Sequence, residues 1–505
     1  MASTYLLIPD DFTPAPSLLP ERIVGFEAVT GFSSDLGAVA YAVTTDGGVA
    51  AALGLDRDAL ARAGFEGKPG QTLAVPTAEG PAVYVVGAGA EADVTTDSLR
   101  DVAANVARAA ATHARIGMSL GPLGDVDRET VGQLVAEGML LARYRFSELK
   151  TDPKVTPLDA VEVLVGAADV SAVTDGFARG VITARSANLA RDLANTPPGH
   201  LTATVFADLA LSLAEDFGLE VEAFDKQQLF ELGCGGLLGV NAGSAEEPRM
   251  IKLRYTPAGE STGHLAMVGK GIMYDSGGIS LKPSDPMHLA MKMDMGGAAA
   301  VFAALTALRD LGCTTTVTAF LMCTDNMPSG SAYKLGDVLT IRNGMTVEVK
   351  NTDAEGRLVM SDGLVLATEE EPDAVVDIAT LTGAALVSLG AATAALFGND
   401  QAIIDQAKAA SAATDEQVWQ LPLEKKYRKQ LDSDVADISN LGGPYAGATT
   451  AALFLNEFVG GLPWAHLDIA GTMQSETDDS WRSKGATGFG ARLLIELALA
   501  FEKIR

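Results

Sequence analysis

Short apolar runs alternate with amphipathic stretches along the first third of the chain. Runs of small and β-branched apolar residues that end at or near glycine predict strands at 37–44, 80–89 and 161–167. Apolar side chains that recur every three to four residues predict helices at about 99–113 and 129–144, the first with Thr96 or Asp97 as its N-cap. Strands and helices in alternation are typical of an α/β unit.

A polar segment with two prolines, at 151–157, predicts the end of this unit, and we place the first domain at residues 1–155. Residues 156–194 predict a linker and a connecting helix, which ends at an NTPPG sequence. From residue 195 to residue 505, strand-like and helical patterns alternate again, with the clearest examples at 265–274, 296–311, 314–323 and 374–381. This alternation predicts a larger α/β domain with a mostly parallel central sheet and a site at the carboxyl ends of its strands.

Composition narrows the classes of protein. The 505 residues contain 37 Lys and Arg against 65 Asp and Glu, and the net charge of -28 argues against broad binding of nucleic acid. Three cysteines form no disulfide framework and favour a reducing cytoplasm. The start of the chain lacks the basic region of a signal peptide. The uncharged stretch 378–399 is rich in Ala and Gly, which favours a buried strand–loop–helix segment over a membrane span.

Charged residues in two separate segments are the candidates for chemistry. A glycine-rich stretch after a predicted strand contains Lys270, Asp275, Lys282 and Asp294. Further along, NTDAEGR places Asp353, Glu355 and Arg357 at alternate positions, which share one face if the segment is extended. Four carboxylates in one pocket repel each other unless cations lie among them, and two bridged divalent metals would remove the repulsion. The residues alone also fit turn-forming aspartates and solvated lysines, so both interpretations stay open here.

Longer motifs favour the interpretation as a two-metal site. VGKGIMYDSGGISLKP, MKMDMGGAAAV and NTDAEGRLVMSD, with NTPP, DNMPSGSAYKLGDV, DIATLTGA, WAHLDIAGT and GATGFGARLL, resemble the signature segments of the leucyl (cytosol) aminopeptidase family. The resemblance covers roughly 195–494, whereas the N-terminal half is only loosely similar, apart from EGMLLARYRFSELK. Asp325 and Leu335 stand where the family usually has Glu and Pro, and we expect these departures to affect only local loop geometry.

The resemblance implies a small N-terminal α/β domain, macro-like, and a larger catalytic α/β domain. It implies two divalent metals per subunit, Zn or Mn with Mg or Co as other fits, held by Lys270, Asp275, Asp294, Asp353 and Glu355. Lys282 would be the catalytic lysine, and Arg357 would hold bicarbonate. Substrate-binding residues would be Met291, Thr380, Leu381 and Gly383.

The resemblance further implies an aminopeptidase that removes Leu-like residues from peptides with a free N-terminus. We expect attack by a water activated at two metals, with proton transfer assisted by bicarbonate. A cytoplasmic homohexamer without membrane contact is implied as well. A lysine binds a metal only as the neutral amine, so we expect Lys270 to be neutral and Lys282 to stay charged.

Two other functions stay open at this point. Four carboxylates also suit a two-metal phosphoryl-transfer enzyme, although the phosphate-binding pattern G-x-x-x-x-G-K-[ST] is absent. A non-enzymatic DNA-binding or regulatory role is the third possibility, and the net charge of -28 is unfavourable to it.

Overall fold

A computed structural model of the chain describes residues 7–121, 124 and 126–504. These residues form two compact units. The N-terminal unit comprises described residues of 15–188 and 475–485, and the C-terminal unit comprises 7–14, 189–474 and 486–504. The chain thus has the two-domain α/β architecture that its pattern predicts.

Six strands form the sheet of the N-terminal unit: β1 (Gly25–Val29), β2 (Ala38–Val43), β3 (Thr72–Val75), β4 (Ala82–Gly87), β5 (Arg115–Ser119) and β6 (Ala160–Leu164). Their order is β1-β6-β5-β2-β4-β3, with parallel pairing except at the edge strand β3. Strand β6 pairs with both β1 and β5, so this unit continues past the boundary that we place at residue 155. The division into compact units falls instead between residues 188 and 189.

The first four helices are α1 (Arg57–Arg62), α2 (Thr96–Ala109), α3 (Arg128–Arg143) and α4 (Val170–Asn195). Helices α2 and α3 occupy the two regions where helical periodicity predicts them. The N-cap of α2 is Thr95 rather than Thr96 or Asp97. The Thr95 hydroxyl accepts a hydrogen bond from the Ser98 amide, and the Ser98 hydroxyl accepts one from the Thr95 amide. This reciprocal pair is a capping box, which satisfies two amides at the helix start.

The C-terminal unit contains the larger sheet and a smaller one. Its strands are β7 (Glu220–Phe224), β8 (Arg249–Tyr255), β9 (His264–Asp275), β10 (Thr316–Asn326), β11 (Val338–Thr340), β12 (Thr346–Glu348), β13 (Ala374–Ala379), β14 (Ala394–Gly398), β15 (Val418–Gln420), β16 (Ile438–Ser439) and β17 (Trp464–Asp468). Eight of them form a sheet in the order β15-β14-β17-β13-β9-β10-β8-β7, and β11, β12 and β16 form the small sheet. The four central strands β17, β13, β9 and β10 are mutually parallel. Two short strands, β18 (Gln474–Ser475) and β19 (Gly485–Ala486), form a separate pair.

The helices from α5 onward flank this large sheet. They are α5 (Ala203–Phe217), α6 (Lys226–Glu231), α7 (Gly235–Asn241), α8 (Pro286–Leu289), α9 (Gly296–Leu308), α10 (Gly356–Glu369), α11 (Gly383–Leu389), α12 (Gln401–Thr414), α13 (Gly447–Asn456) and α14 (Ala491–Leu499).

Helices α9 and α10 cover opposite faces of the central strands. Alternate residues of β9 point to opposite faces, and the structure shows what each meets. A side chain at Gly269 would meet the backbone of Ala298 in α9, whereas Val268 lies against Gly363 in α10. The core is therefore continuous on both sides of β9, whose residues 265–273 are all buried.

One apolar segment satisfies the length and composition of a membrane span within the described residues. It is Pro286–Leu308, and 72% of its most apolar window is buried inside the protein. The segment comprises α8, the 3₁₀ helix Ala290–Met293 and α9, and α9 packs on the sheet. The uncharged stretch 378–399 forms the end of β13, then α11 and β14.

Candidate active site

Four neighbouring parallel strands end at one edge of the large sheet, and each end carries a polar residue. Strand β10 ends at Asn326, β9 at Asp275 and β17 at Asp468, and Thr380 follows the last residue of β13. Carboxyl ends of parallel strands meet at the same edge, where α/β proteins place their sites. Residues far apart in sequence are thereby brought together.

Lys270 is the centre of one half of the cluster. Its ammonium nitrogen lies 2.9 Å from Asp294 Oδ2 and 2.8 Å from Glu355 Oε1, and it donates a hydrogen bond to the Thr380 carbonyl at 2.8 Å. All four side chains are buried. A side chain at Gly356, the first residue of α10, would lie 2.7 Å from the Lys270 nitrogen, so glycine leaves the room that the lysine occupies.

Lys282 is the cation of the other half. It lies in the loop after β9, and its nitrogen is 2.8 Å from Asp275 Oδ2 and 2.5 Å from Asp353 Oδ1. Its side chain is 18% exposed, so this half opens to solvent more than the Lys270 half does. The structure thus brings together all five residues that the resemblance implies as metal ligands, with the implied catalytic lysine among them.

The charges in this cluster are not balanced, because four carboxylates face two ammonium groups. Burial, reinforced by the Asp275 carboxylate, raises the pKa of Glu355 to about 6. Burial also raises the pKa of Asp294 well above its ordinary value, although Lys270 opposes the shift. Raised carboxylate pKa values mean that the ionised forms are incompletely compensated, and a further cation would stabilise them.

The pKa of Lys270 depends on the same charges. Burial lowers it, but the carboxylates of Asp294, Glu355 and Asp275 raise it by more, so its net pKa lies above the ordinary value. The carboxylates by themselves therefore keep this lysine protonated. The neutral amine expected from the sequence requires dications that neutralise those carboxylates, and it stays a prediction.

The donor set fits divalent metals. Asp275, Asp353 and Glu355 each offer a carboxylate oxygen, and these oxygens all lie within 4.8 Å of one another. The second oxygen of Glu355, Oε2, is buried and has no hydrogen-bond partner among the described residues. A buried carboxylate oxygen without a donor is costly unless a cation binds it.

Asn326 and Thr352 tie the two ligand-bearing segments together, and the sequence did not predict either as a site residue. Asn326 Nδ2 donates to Asp275 Oδ1 at 2.8 Å and to the Thr352 carbonyl at 2.9 Å. The Thr352 hydroxyl donates to the Gly277 carbonyl at 2.7 Å and accepts from the Ser280 amide at 2.8 Å. Since both residues are fully buried, these bonds hold Asp275 and the 353–355 segment in fixed relation.

Arg357 is a buried cation in the first turn of α10. Its Nε and Nη1 have no hydrogen-bond partner among the described residues. Burial lowers the pKa of its guanidinium to about 10, whereas the Glu355 and Asp468 carboxylates raise it. A buried guanidinium with free N–H groups is a site for a small anion, which fits the implied bicarbonate.

The extended segment predicted for 353–357 is wrong. Glu355 has helical backbone angles, φ -73° and ψ -38°, and it directly precedes α10, which contains Arg357. Asp353 and Glu355 still converge because the chain turns into the helix between them and Arg357. The convergence therefore comes from a loop–helix junction and not from the alternation of a strand.

The residues implied for substrate binding lie on two segments beside the cluster. Thr380 joins it directly, since its hydroxyl donates to the Asp294 backbone carbonyl at 3.0 Å and also bonds the Asp294 carboxylate. Leu381 is half-buried, and Gly383 is the exposed first residue of α11. Met291 is half-buried in the 3₁₀ helix that leads to Asp294. Contact of these side chains with a substrate stays a prediction.

Models of two protein-family domains match this chain. The model of the cytosol aminopeptidase family, catalytic domain, matches residues 188–495, and the model of the N-terminal domain of that family matches residues 49–153. A probable cytosol aminopeptidase of Streptomyces coelicolor is 41% identical over 508 residues, which cover 96% of this chain and 96% of that protein. A probable cytosol aminopeptidase of Roseiflexus castenholzii is 44% identical over 441 residues, which cover 86% of this chain and 90% of that protein.

A solved structure is similar over nearly the whole chain. It is the bottromycin maturation enzyme BotP in complex with Mn, which has a TM-score of 0.83 and 40% sequence identity. The match covers 92% of this chain and 99% of that one.

Proposed function

The chain belongs to the cytosol aminopeptidase family, and on that basis we propose that it is a metal-dependent aminopeptidase that releases Leu-like residues from the free N-terminus of peptides. The observation that carries the proposal is that carboxylate oxygens of Asp275, Asp353 and Glu355 lie within 4.8 Å of one another. It is supported by the buried Glu355 Oε2, which has no hydrogen-bond partner among the described residues. Family membership makes the chain a peptidase, and the donor set supports metal dependence.

Lys270, Asp275, Asp294, Asp353 and Glu355 would hold two divalent ions. Such ions polarise a carbonyl oxygen and lower the pKa of water towards neutrality. Zn and Mn are the metals that we favour, and the Mn complex of BotP supports Mn. The carboxylates supply hard oxygen donors, which suit either metal.

Lys282 would stabilise the negative charge that develops on the oxygen of the scissile carbonyl. Burial lowers its pKa, but Asp275 and Glu355 raise it by more, so Lys282 is protonated in the cluster without metals. We propose that it keeps this charge when the two ions are bound. Its partial exposure leaves it accessible to a substrate, whereas Lys270 is enclosed. An ammonium in this position acts as an oxyanion donor, and the loss of one such donor costs about 10²–10³ in rate.

Arg357 would bind bicarbonate through Nε and Nη1, which have no hydrogen-bond partner among the described residues. The chemistry that bicarbonate supplies is proton transfer between the attacking water and the leaving amine. Arg357 holds and orients the anion, and its own proton is not transferred because even the lowered guanidinium pKa of about 10 lies well above neutrality.

Met291, Thr380, Leu381 and Gly383 would line the pocket for the first substrate side chain. Three of these four residues have no polar side chain, and the hydroxyl of the fourth, Thr380, is engaged with Asp294. We therefore propose a preference for Leu and Met over charged first residues. Comparison of kcat/KM for Leu- and Glu-amides tests it, and a preference for Glu contradicts it. A cytoplasmic homohexamer is part of the same proposal, and sedimentation of the purified protein tests the assembly.

The function itself is tested by activity after removal and return of metal. The purified protein should hydrolyse leucine p-nitroanilide, lose this activity on chelation and regain it with Mn or Zn. Asp275→Ala should lose bound metal together with activity, because Asp275 contributes to both halves of the cluster. Hydrolysis of p-nitrophenyl phosphate in its place would support the phosphoryl-transfer alternative. A shift of random DNA in a gel at low salt would support the DNA-binding one.

A further inference from the structure

Asp468 is a buried carboxylate at the sheet edge to which no role in metal, anion or proton chemistry has been assigned. It ends β17, and its residue is 1% exposed. Asp468 Oδ1 accepts hydrogen bonds from the amides of Leu381 at 3.2 Å and Thr382 at 3.3 Å. Asp468 Oδ2 accepts one from the Thr382 hydroxyl at 2.7 Å. One side chain thus receives three donors from two consecutive residues.

Thr382 transmits this contact to the next helix. Its hydroxyl accepts a hydrogen bond from the Ala385 amide at 3.0 Å, so Thr382 is the N-cap of α11. The same oxygen that caps the helix donates its proton to Asp468. The position at which α11 begins is therefore determined by the carboxylate of a different strand.

The segment 380–383 is consequently held at two places. Thr380 is bonded to Lys270 and Asp294 of the cluster, and Leu381 and Thr382 are bonded to Asp468. Strands β13 and β17 pair in register Ala379↔Asp468, which places the carboxylate directly beside the start of the segment.

The far side of the segment is also closely packed. A side chain at Gly447, the first residue of α13, would lie 3.1 Å from the Ala384 Cβ. Helix α11 therefore has little room to move towards α13.

We propose that Asp468 is a positioning residue that determines which first side chains the substrate pocket accepts, because it fixes the backbone of Leu381 and Thr382. This inference rests on the proposed aminopeptidase function, in which the same segment lines the pocket. Discrimination between apolar side chains depends on the close fit of a pocket, where one methylene changes the rate about 10–200-fold. Loss of the anchor should widen the pocket and reduce that discrimination.

The test compares Asp468→Asn with the wild type. Asparagine keeps the size and one acceptor oxygen for the two amides, but its NH₂ group replaces the oxygen that accepts the Thr382 hydroxyl. We expect the ratio of kcat/KM for Leu-amide to that for Ala-amide to fall about tenfold or more, chiefly through KM, with the metal content unchanged. Thr382→Val should change the ratio in the same direction, and Thr382→Ser, which keeps the hydroxyl donor, should restore it.

Asp362→Asn is the matched control. Asp362 is also fully buried and accepts hydrogen bonds from two backbone amides, those of Leu237 at 2.9 Å and Arg342 at 3.0 Å. Neither donor lies in the substrate segment 380–383. We expect this variant to lower the melting temperature without changing the Leu-to-Ala ratio. An unchanged ratio in Asp468→Asn, or a loss of metal in parallel with activity, overturns the proposal.

Hydrogen exchange separates this inference from the proposed function. In Asp468→Ala, which removes the side-chain oxygens, the amides of Leu381 and Thr382 should exchange at least about tenfold faster, because each loses its acceptor. Suppose that the wild type hydrolyses no amino-acid amide with any metal while the backbone N–H groups of Leu381 and Thr382 still exchange faster in the variant. In that case the proposed function fails and only the structural anchor is supported. If the amides do not respond, the anchor itself is refuted, whatever the activity.

Discussion

Asn326→Ala should weaken metal binding without touching a metal ligand. The substitution removes the Nδ2 group that donates to Asp275 Oδ1 and to the Thr352 carbonyl. Asp275 Oδ1 keeps the Gly277 amide at 2.9 Å, and the Thr352 carbonyl keeps the Tyr333 hydroxyl at 2.7 Å. The two segments lose one of the two groups that join them, while the Thr352 hydroxyl still bonds Gly277 and Ser280.

The magnitude follows from the bonds that are lost. A hydrogen bond to a charged group contributes about 1.5–3 kcal/mol, and about 1.4 kcal/mol corresponds to a tenfold change in an equilibrium constant. Substitution of a residue that hydrogen-bonds a metal ligand typically lowers metal affinity about 10–100-fold. We therefore expect the apparent Kd for Mn or Zn to rise within that range.

The assay is competition with a chromophoric chelator at fixed pH, which reports affinity independently of turnover. Asn241→Ala is the matched control, because Asn241 is also buried and its Nδ2 also donates two bonds, to the Glu246 carbonyl at 2.8 Å and to the Thr324 hydroxyl at 3.0 Å. Both variants should melt at lower temperature, but only Asn326→Ala should bind metal more weakly. Wild-type affinity in Asn326→Ala would refute the argument that Asn326 holds the ligand segments together.

Three further substitutions test other parts of the site. Lys282→Ala should lower kcat about 10²–10³-fold and leave metal content near normal, as measured by elemental analysis; full activity contradicts the oxyanion role. Arg357→Met should abolish any stimulation by added bicarbonate, and a variant that still responds to the anion excludes Arg357 as its site. Gly297→Ala should lower the melting temperature by an amount equivalent to about 1–3 kcal/mol, since the new Cβ would lie 2.1 Å from the Ile378 carbonyl oxygen. Gly296→Ala is its control, because its nearest neighbours would be 3.8 Å away, and equal losses in both variants would show that the clash is not the cause.

The sequence predicted the elements that have strong periodicity and the charged cluster that the long motifs contain, whose role in metal binding stays a prediction. The strand at 265–274 and the helix from residue 296 occur as β9 and α9, with ends that differ by a few residues. The cluster around Lys270 and Lys282 occurs where the resemblance implies it. Both kinds of prediction depend on information that is local in the sequence.

What the sequence did not predict depends on contacts between distant segments. Asn326 and Asp468, at strand ends, and Thr352, in the loop before α10, act through hydrogen bonds to distant segments, and nothing in their local sequence indicates the partner. The geometry of Glu355 was also missed, because alternate spacing looks the same in an extended segment and at the junction of a loop with a helix. Register between strands is set by tertiary packing, so these contacts required the structure.

The spread of the site over the large sheet has a consequence for folding. Lys270 and Asp275 lie on β9, Glu355 directly precedes α10, and Asp468 lies on β17. Since β13 lies between β9 and β17, the segment that follows β13 can be fixed by Asp468 only after all three strands have paired. Such long-range pairing is slow, so the complete site should form late in folding, together with the sheet as a whole.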